Sequence, residues 1–167
     1  YQQLVSQLNN YDDLKIKEAE YILGFTCITD GKGLRDGKIV EQKVATIYTG
    51  KSDLAGRLGK TPIIIELKTR PETPEDLLEA QLYALGASEL MKSESEIIVL
   101  HVYVSDNKAT VKERRFGVSE LESAKAKFED ISKKTASWIP FDALSPNYTV
   151  GEWCEYCEFK NTCSEYR

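Results

Sequence analysis

Three residues bracket a hydrophobic run in a way that suits metal chemistry. Asp53 sits in Gly50-Lys51-Ser52-Asp53, and Glu66 follows Ile63-Ile64-Ile65 thirteen residues later. Lys68 comes two residues after Glu66, so on a strand the two side chains share a face. A carboxylate and an ammonium on one side of an apolar strand are costly unless paired or bound to something. A hairpin of this length brings Asp53 beside Glu66. The two carboxylates and the main-chain carbonyl of Leu67 then offer hard oxygen ligands to Mg²⁺ or Mn²⁺, with positions left for water and phosphate. Lys68 beside them suits orienting or deprotonating a water, or stabilising charge on a phosphate. The chemistry this suits is hydrolysis of a phosphodiester. Taken alone, Glu-x-Lys also reads as a structural ion pair.

The cysteines form a second group. Cys154, Cys157 and Cys163 lie within ten residues, and Cys27 stands alone near the start of the chain. A Cys-x-x-Cys pair with a third cysteine close behind suits one metal or cluster better than two disulfides. Such a site needs a fourth ligand. Cys27 is the one remaining cysteine and His101 the one histidine. His101 lies in a strand-like run and reads as a core or edge residue.

The 167 residues carry 22 basic and 27 acidic side chains, a net charge of −5. That argues against a coat of positive charge but leaves room for a local basic groove on an acidic body. No apolar run approaches the ~18 residues of a membrane span. No signal peptide is visible, so the expected location is intracellular, in the cytoplasm or with the nucleoid or nucleus. The first residue, Tyr1, fits a piece excised from a longer chain.

The elements that must position these residues follow from periodicity. Tyr1 to Leu8 suggests a short helix. Ala19 to Ile28, Ile39 to Tyr48 and Lys51 to Leu58 read as three strands, with turn signals at Asp30-Gly31-Lys32-Gly33 and Asp36-Gly37. Pro62 opens Ile63 to Lys68, a strand apolar enough to be buried on both faces. Thr73-Pro74-Glu75-Asp76 starts a helix carrying Leu77, Leu78, Leu82, Leu85 and Leu90. Glu96 to Val104 and Ala109 to Phe116 are strands around a turn at Asp106-Asn107. Ser119 to Glu122 is a capping box for a last helix reaching Lys134. The pattern is α/β with a mixed central sheet flanked by helices. The expected division is a core at 1–150 and a cysteine-rich tail at 151–167 that packs back on it.

The order Gly-x-x-Asp, β-turn-β, hydrophobic run, Glu-x-Lys-Thr and a helix with Gln81 resembles the PD-(D/E)XK nuclease superfamily, and within it the RecB-like nucleases. The resemblance implies a restriction-endonuclease-like core. It implies Asp53, Glu66 and Lys68 as the metal and catalytic group, with Gln81 as an accessory catalytic residue. A tyrosine commonly follows that glutamine by four residues, whereas Tyr83 follows Gln81 by two. An upstream acidic or histidine ligand is also implied, and Glu41 is the best-placed candidate, with Glu18 and Glu20 more distant. The tail from Trp153 to Cys163 resembles that of the iron–sulfur members, which include AddB-type and CRISPR adaptation nucleases. It implies a 4Fe-4S cluster on Cys27, Cys154, Cys157 and Cys163, with zinc or empty reduced thiols as alternatives.

Lys51, Arg57, Lys60 and Arg70 flank the candidate site, and Lys108, Lys112, Arg114 and Arg115 form a second basic run. They read as a phosphate track or as charges guarding an edge strand. Tyr148, Trp153 and Tyr156 read as base-stacking or packing aromatics. The expected function is a metal-dependent DNA nuclease, exonuclease or endonuclease, acting on single strands or DNA ends in repair, recombination or replication. A helicase or recombination partner is expected. The alternative is a non-catalytic nucleic-acid-binding or scaffold domain of the same fold.

Overall fold

The computed structural model describes residues 8–91, 96–105, 108–136, 152–157 and 160. The chain forms two compact units, Tyr1–Ser137 and Trp138–Arg167.

In the first unit, β1 (Leu14–Arg35) and β2 (Lys38–Leu58) make one long antiparallel ribbon. Asp36 (φ 50°) and Gly37 (φ 74°) turn it. Two consecutive positive φ values give the two-residue turn whose twist matches the flanking strands. The two strands expected at Ile39–Tyr48 and Lys51–Leu58 are one continuous strand. Gly50 does not break it. A Cβ at Gly50 would lie 2.7 Å from Cε1 of Tyr83, so the glycine makes room for a helix side chain. The signals at Asp30 to Gly33 likewise fall inside β1.

The chain returns through Gly59 into β3 (Thr61–Lys68), antiparallel to β2. Next comes α1 (Glu75–Met91), and then β4 (Ile97–Ser105), parallel to β3. A parallel pair needs a crossover, and α1 supplies it. β5 (Lys108–Phe116) pairs antiparallel with β4, and α2 (Val118–Ala136) ends the unit. The sheet order is β1-β2-β3-β4-β5, so β3 is central and β5 is an edge. This is the mixed α/β sheet expected, consistent with a restriction-endonuclease-like fold. The expected helix at Tyr1–Leu8, apart from Leu8, and the turn at Asp106-Asn107 lie outside the described residues.

Helix starts follow local chemistry. Thr73 N–H donates to the Asp76 carboxylate (2.9 Å), while Asp76 N–H donates to the Thr73 carbonyl (3.1 Å). At α2 the cap falls earlier than expected. Gly117 N–H donates to Glu120 (3.1 Å), and the helix begins at Val118.

Both described helices cover one sheet face. There Ile64, Val99 and Phe116 meet Ala80, Tyr83 and Ala84 of α1. On the other face Ile63, Ile65, Ile98, Leu100 and Val102 pack together, with Leu8 and Tyr11 against them. The three isoleucines of β3 have no exposed surface. Each contributes roughly 1.5–3 kcal/mol by leaving water, which fixes β3 as the rigid strand of the sheet. The ribbon also packs on both helices, where Phe25 and Cys27 meet Leu85 of α1 and Ala124 and Phe128 of α2.

In the second unit a 3-10 turn spans Glu152–Tyr156. Cys157 N–H donates to the Cys154 carbonyl (3.2 Å), and Lys160 N–H to that of Cys157 (3.1 Å). Among the described residues no helix is long and apolar enough to cross a membrane.

Candidate active site

The β2–β3 ladder ends at Leu54 and Ile65, and the next residues on each strand are Asp53 and Glu66. Side chains replace the ladder there. Asp53 N–H donates to the Glu66 carboxylate (3.3 Å), and Leu67 N–H donates to the Asp53 carboxylate (2.7 Å). Two carboxylates are thereby held facing each other at the open end of a hairpin.

Alternation along β3 puts Lys68 on the face of Glu66, beneath α1. Its Nζ lies 3.1 Å from Glu66 Oε1 and 2.9 and 2.8 Å from the two oxygens of Glu79. The Lys68 side chain is only 13% exposed. Burial disfavours its charge, but hydrogen bonds to Glu79 and Glu66 outweigh this, and its pKa stands above that of an ordinary lysine. For Glu66 burial wins over Lys68, and its pKa is raised. For Glu79 burial is outweighed by hydrogen bonds from His101 and Lys68, and its pKa is lowered.

Glu79 is the site residue that sequence reading missed. It lies one helical turn before Tyr83, so the two share a face of α1. Tyr83 donates to the Lys51 carbonyl (3.1 Å), and burial followed by the nearby carboxylates pushes its phenol up. The signal was present in the four-residue spacing of Glu79 and Tyr83. Gln81 points elsewhere, since two residues rotate a helix by about 200°. Its amide oxygen accepts from Lys127 of α2 (3.3 Å), so Gln81 is turned away from the Lys68 group.

His101 is opposite Glu66 in the β3–β4 pairing and has no exposed surface. Arg114 Nη1 approaches its Nδ1 at 2.7 Å, and its Nε2 lies 3.2 Å from Glu79. Arginine only donates, so Nδ1 accepts and Nε2–H donates to Glu79. The histidine is therefore a buried strut between Arg114 and Glu79. Arg114 also donates to Glu72 (2.8 Å), which Lys112 contacts too.

Together these observations give an aspartate and a glutamate converging across a hairpin, and a lysine two residues beyond the glutamate. Residues 10–164 match the sequence profile of the PD-(D/E)XK nuclease superfamily. The chain belongs to this superfamily. No curated protein matches it. A solved structure titled "Crystal structure of SSO0001" is 18% identical, with a TM-score of 0.45, over 98% of this chain. This chain spans 66% of that one, just under two thirds of its length.

Other residues of this PD-(D/E)XK domain lie apart from the group. Glu41 is exposed and pairs with Lys32 near the ribbon turn, twelve residues along β2 from Asp53. The strand is extended between them, so Glu41 does not join Asp53 and Glu66. Glu20 is nearer. It lies between Ala19, opposite Leu54, and Tyr21, opposite Ser52, with φ 55° and its carboxylate on Lys51 (3.1 Å). Much of the basic run is paired with acids. Arg70 holds Asp76, Lys112 and Arg114 hold Glu72, and Arg115 holds Glu113 and Glu96.

Asp53 and Glu66 suit a hard divalent cation, with oxygen donors on a rigid hairpin end. Formally, three carboxylates (Asp53, Glu66, Glu79) against one ammonium (Lys68) leave the group at −2. Among the described residues no cluster of three or more His, Cys, Asp or Glu forms a ready metal cage. Cys27 is buried, 3% exposed, among Phe25, Leu85, Ala124 and Phe128. Cys154 is half-buried and Cys157 exposed, on one turn of the second unit. Cys163 lies outside the described residues.

Proposed function

We propose that the chain is a divalent-metal-dependent deoxyribonuclease that hydrolyses phosphodiester bonds of single strands or DNA ends. The observation that carries this reading is Asp53 facing Glu66, with Lys68 on the same face two residues on. Asp53, Glu66 and the Leu67 carbonyl would hold Mg²⁺ or Mn²⁺, which when bound supplies Lewis acidity and an activated water. Lys68, kept cationic by Glu66 and Glu79, serves to position a water or to offset charge on the phosphate. Glu79 and His101 hold Lys68 in place. A site that reads phosphate and not base edges gives weak sequence preference. Work on single strands and ends supports a role in repair, recombination or replication beside a helicase or recombination partner.

We further infer that the tail carries an iron–sulfur cluster with Cys154 and Cys157 among its ligands. The Cys154–Cys157 turn, which brings two thiols onto one short loop, supports it.

The test is a cleavage assay on end-labelled single- and double-stranded DNA with Mn²⁺, Mg²⁺ or EDTA, using anaerobically purified protein. Metal-dependent cutting that Glu66→Gln abolishes is expected. A folded protein that cuts nothing, or a Glu66→Gln variant that cuts as well as wild type, overturns the reading.

A further inference from the structure

A cavity of about 410 Å³ opens between β2, α1 and α2. Glu79 and Tyr83 line it, and both also border the Lys68 group, so cavity and site share a wall. The rest is mainly apolar, formed by Leu78, Leu82, Phe128, Ile131 and the ring of Tyr48. The volume lies within the roughly 300–1,000 Å³ typical of small-molecule sites.

We propose that this cavity receives one unstacked nucleobase of a single strand whose backbone lies across Asp53, Glu66 and Lys68. The inference rests on the nuclease reading above and names what that site selects. The charged residues lining the cavity are Glu75 and Glu79, both acidic, so a phosphate is repelled and a neutral ring with N–H donors is favoured. Tyr48 provides a fixed aromatic edge. It stacks on Phe25 (5.2 Å between centroids, 21° between planes), and its hydroxyl donates to the Phe128 carbonyl (3.1 Å). Base–aromatic contact tolerates any sequence, because every base has a π face. A base within a duplex cannot enter without leaving its stack, so the cavity favours single strands and frayed ends.

The experiment measures binding of the full chain, in Ca²⁺, to a short single-stranded DNA and to the same strand made fully abasic. The intact strand is expected to bind about 10-fold more tightly, the size of one base–aromatic contact. Leu78→Trp fills the cavity and is expected to erase that difference while leaving the abasic strand's affinity unchanged. Ile131→Trp fills it from the other helix and guards against a folding defect in the first variant. Equal affinity for the two strands, no binding of either, or a difference that survives both folded variants overturns the proposal. A protein that cleaves DNA but ignores bases sinks this inference alone. One that binds bases through the cavity yet does not cleave sinks the nuclease reading alone.

Discussion

Asp53 and Glu66 stand opposite each other where the β2–β3 ladder stops, and each is tied to the other strand through its carboxylate. The strand end is thus built for charge at the cost of stability. Burial raises the Glu66 pKa above its unfolded value, so ionised Glu66 weakens the fold at neutral pH. Glu66→Gln keeps an acceptor for Asp53 N–H and removes the charge. Cleavage is expected to fall at least about 100-fold, the scale of losing one electrostatic group in an active site. Urea unfolding should find the variant at least as stable as wild type at pH 7. Because Glu66 takes up its proton as pH falls through its raised pKa, that advantage should shrink on acidification and be gone below the unfolded value.

Glu79 acts through Lys68, whose Nζ it grips with both oxygens. Glu79→Gln retains one acceptor and a contact with His101, so the fold should survive. Cleavage should drop roughly 10-fold, towards the low end of the effect of a positioned proton-transfer group. Glu79→Ala should cost more, because Lys68 then has Glu66 alone and His101 loses its acceptor. Steady-state kinetics on one oligonucleotide would check the order wild type, Gln, Ala. Equal rates for all three would remove Glu79 from the site.

The strand part of this site was readable because a period of two leaves no choice of face. Once Ile63 to Ile65 is a buried strand, Glu66 and Lys68 must lie together. The helix part was readable only through its phase: residue type suggested Gln81, whereas Glu79 and Tyr83, four residues apart, share the face that meets Lys68. His101 was out of reach. Its partners come from α1 and β5, and only the cross-strand register aligns Glu66, His101 and Lys112. Gly50 misled in a third way. Its lack of a side chain serves the Tyr83 ring and not a turn.

That last relation predicts a cost. Gly50→Ala would drive a methyl to 2.7 Å from the Tyr83 ring, so Tyr83 must shift and its hydrogen bond to Lys51 must stretch. Overpacking of this kind destabilises by about 1–3 kcal/mol. Tyr83→Phe loses only the hydroxyl bond, about 0.5–1.5 kcal/mol. If the clash acts through Tyr83, Gly50→Ala should cost less in a Tyr83→Leu background, which a double-mutant cycle by urea unfolding measures.

Asp76 carries the acid sensitivity of the loop between β3 and α1. Its buried carboxylate accepts from Arg70, Thr73 N–H (2.9 Å) and Tyr103 (2.9 Å). The Arg70 guanidinium, ahead of the Thr73 and Tyr103 bonds, holds its pKa well below the ordinary aspartate value. A depressed acid stabilises the fold above its unfolded pKa, and that contribution is lost as pH falls from there towards the folded value. Asp76→Asn should therefore cost about 1–3 kcal/mol at pH 7, as a buried charged acceptor is replaced. Below about pH 4, near the unfolded aspartate pKa, wild type should lose stability faster than the variant. Parallel unfolding curves across pH 3–7 would show Asp76 to be unimportant to this loop.

The cysteines separate two kinds of defect. Cys154, half-buried, and Cys157, exposed, lie on one turn of the second unit, whereas Cys27 is packed among aromatic and aliphatic side chains of the first. Replacing exposed Cys157 with serine removes a thiol at little packing cost. Anaerobically purified Cys154→Ser and Cys157→Ser should lose iron and visible absorbance, with unfolding of the first unit unchanged. Cys27→Ala should lose iron as well if Cys27 is the fourth ligand, and in addition about 1 kcal/mol from the small cavity it leaves. Retained iron in Cys27→Ala, with the packing cost still present, would make Cys27 a core residue only. Zinc without iron in wild type would turn the tail into a zinc knuckle, without touching the assignment of Asp53, Glu66 and Lys68.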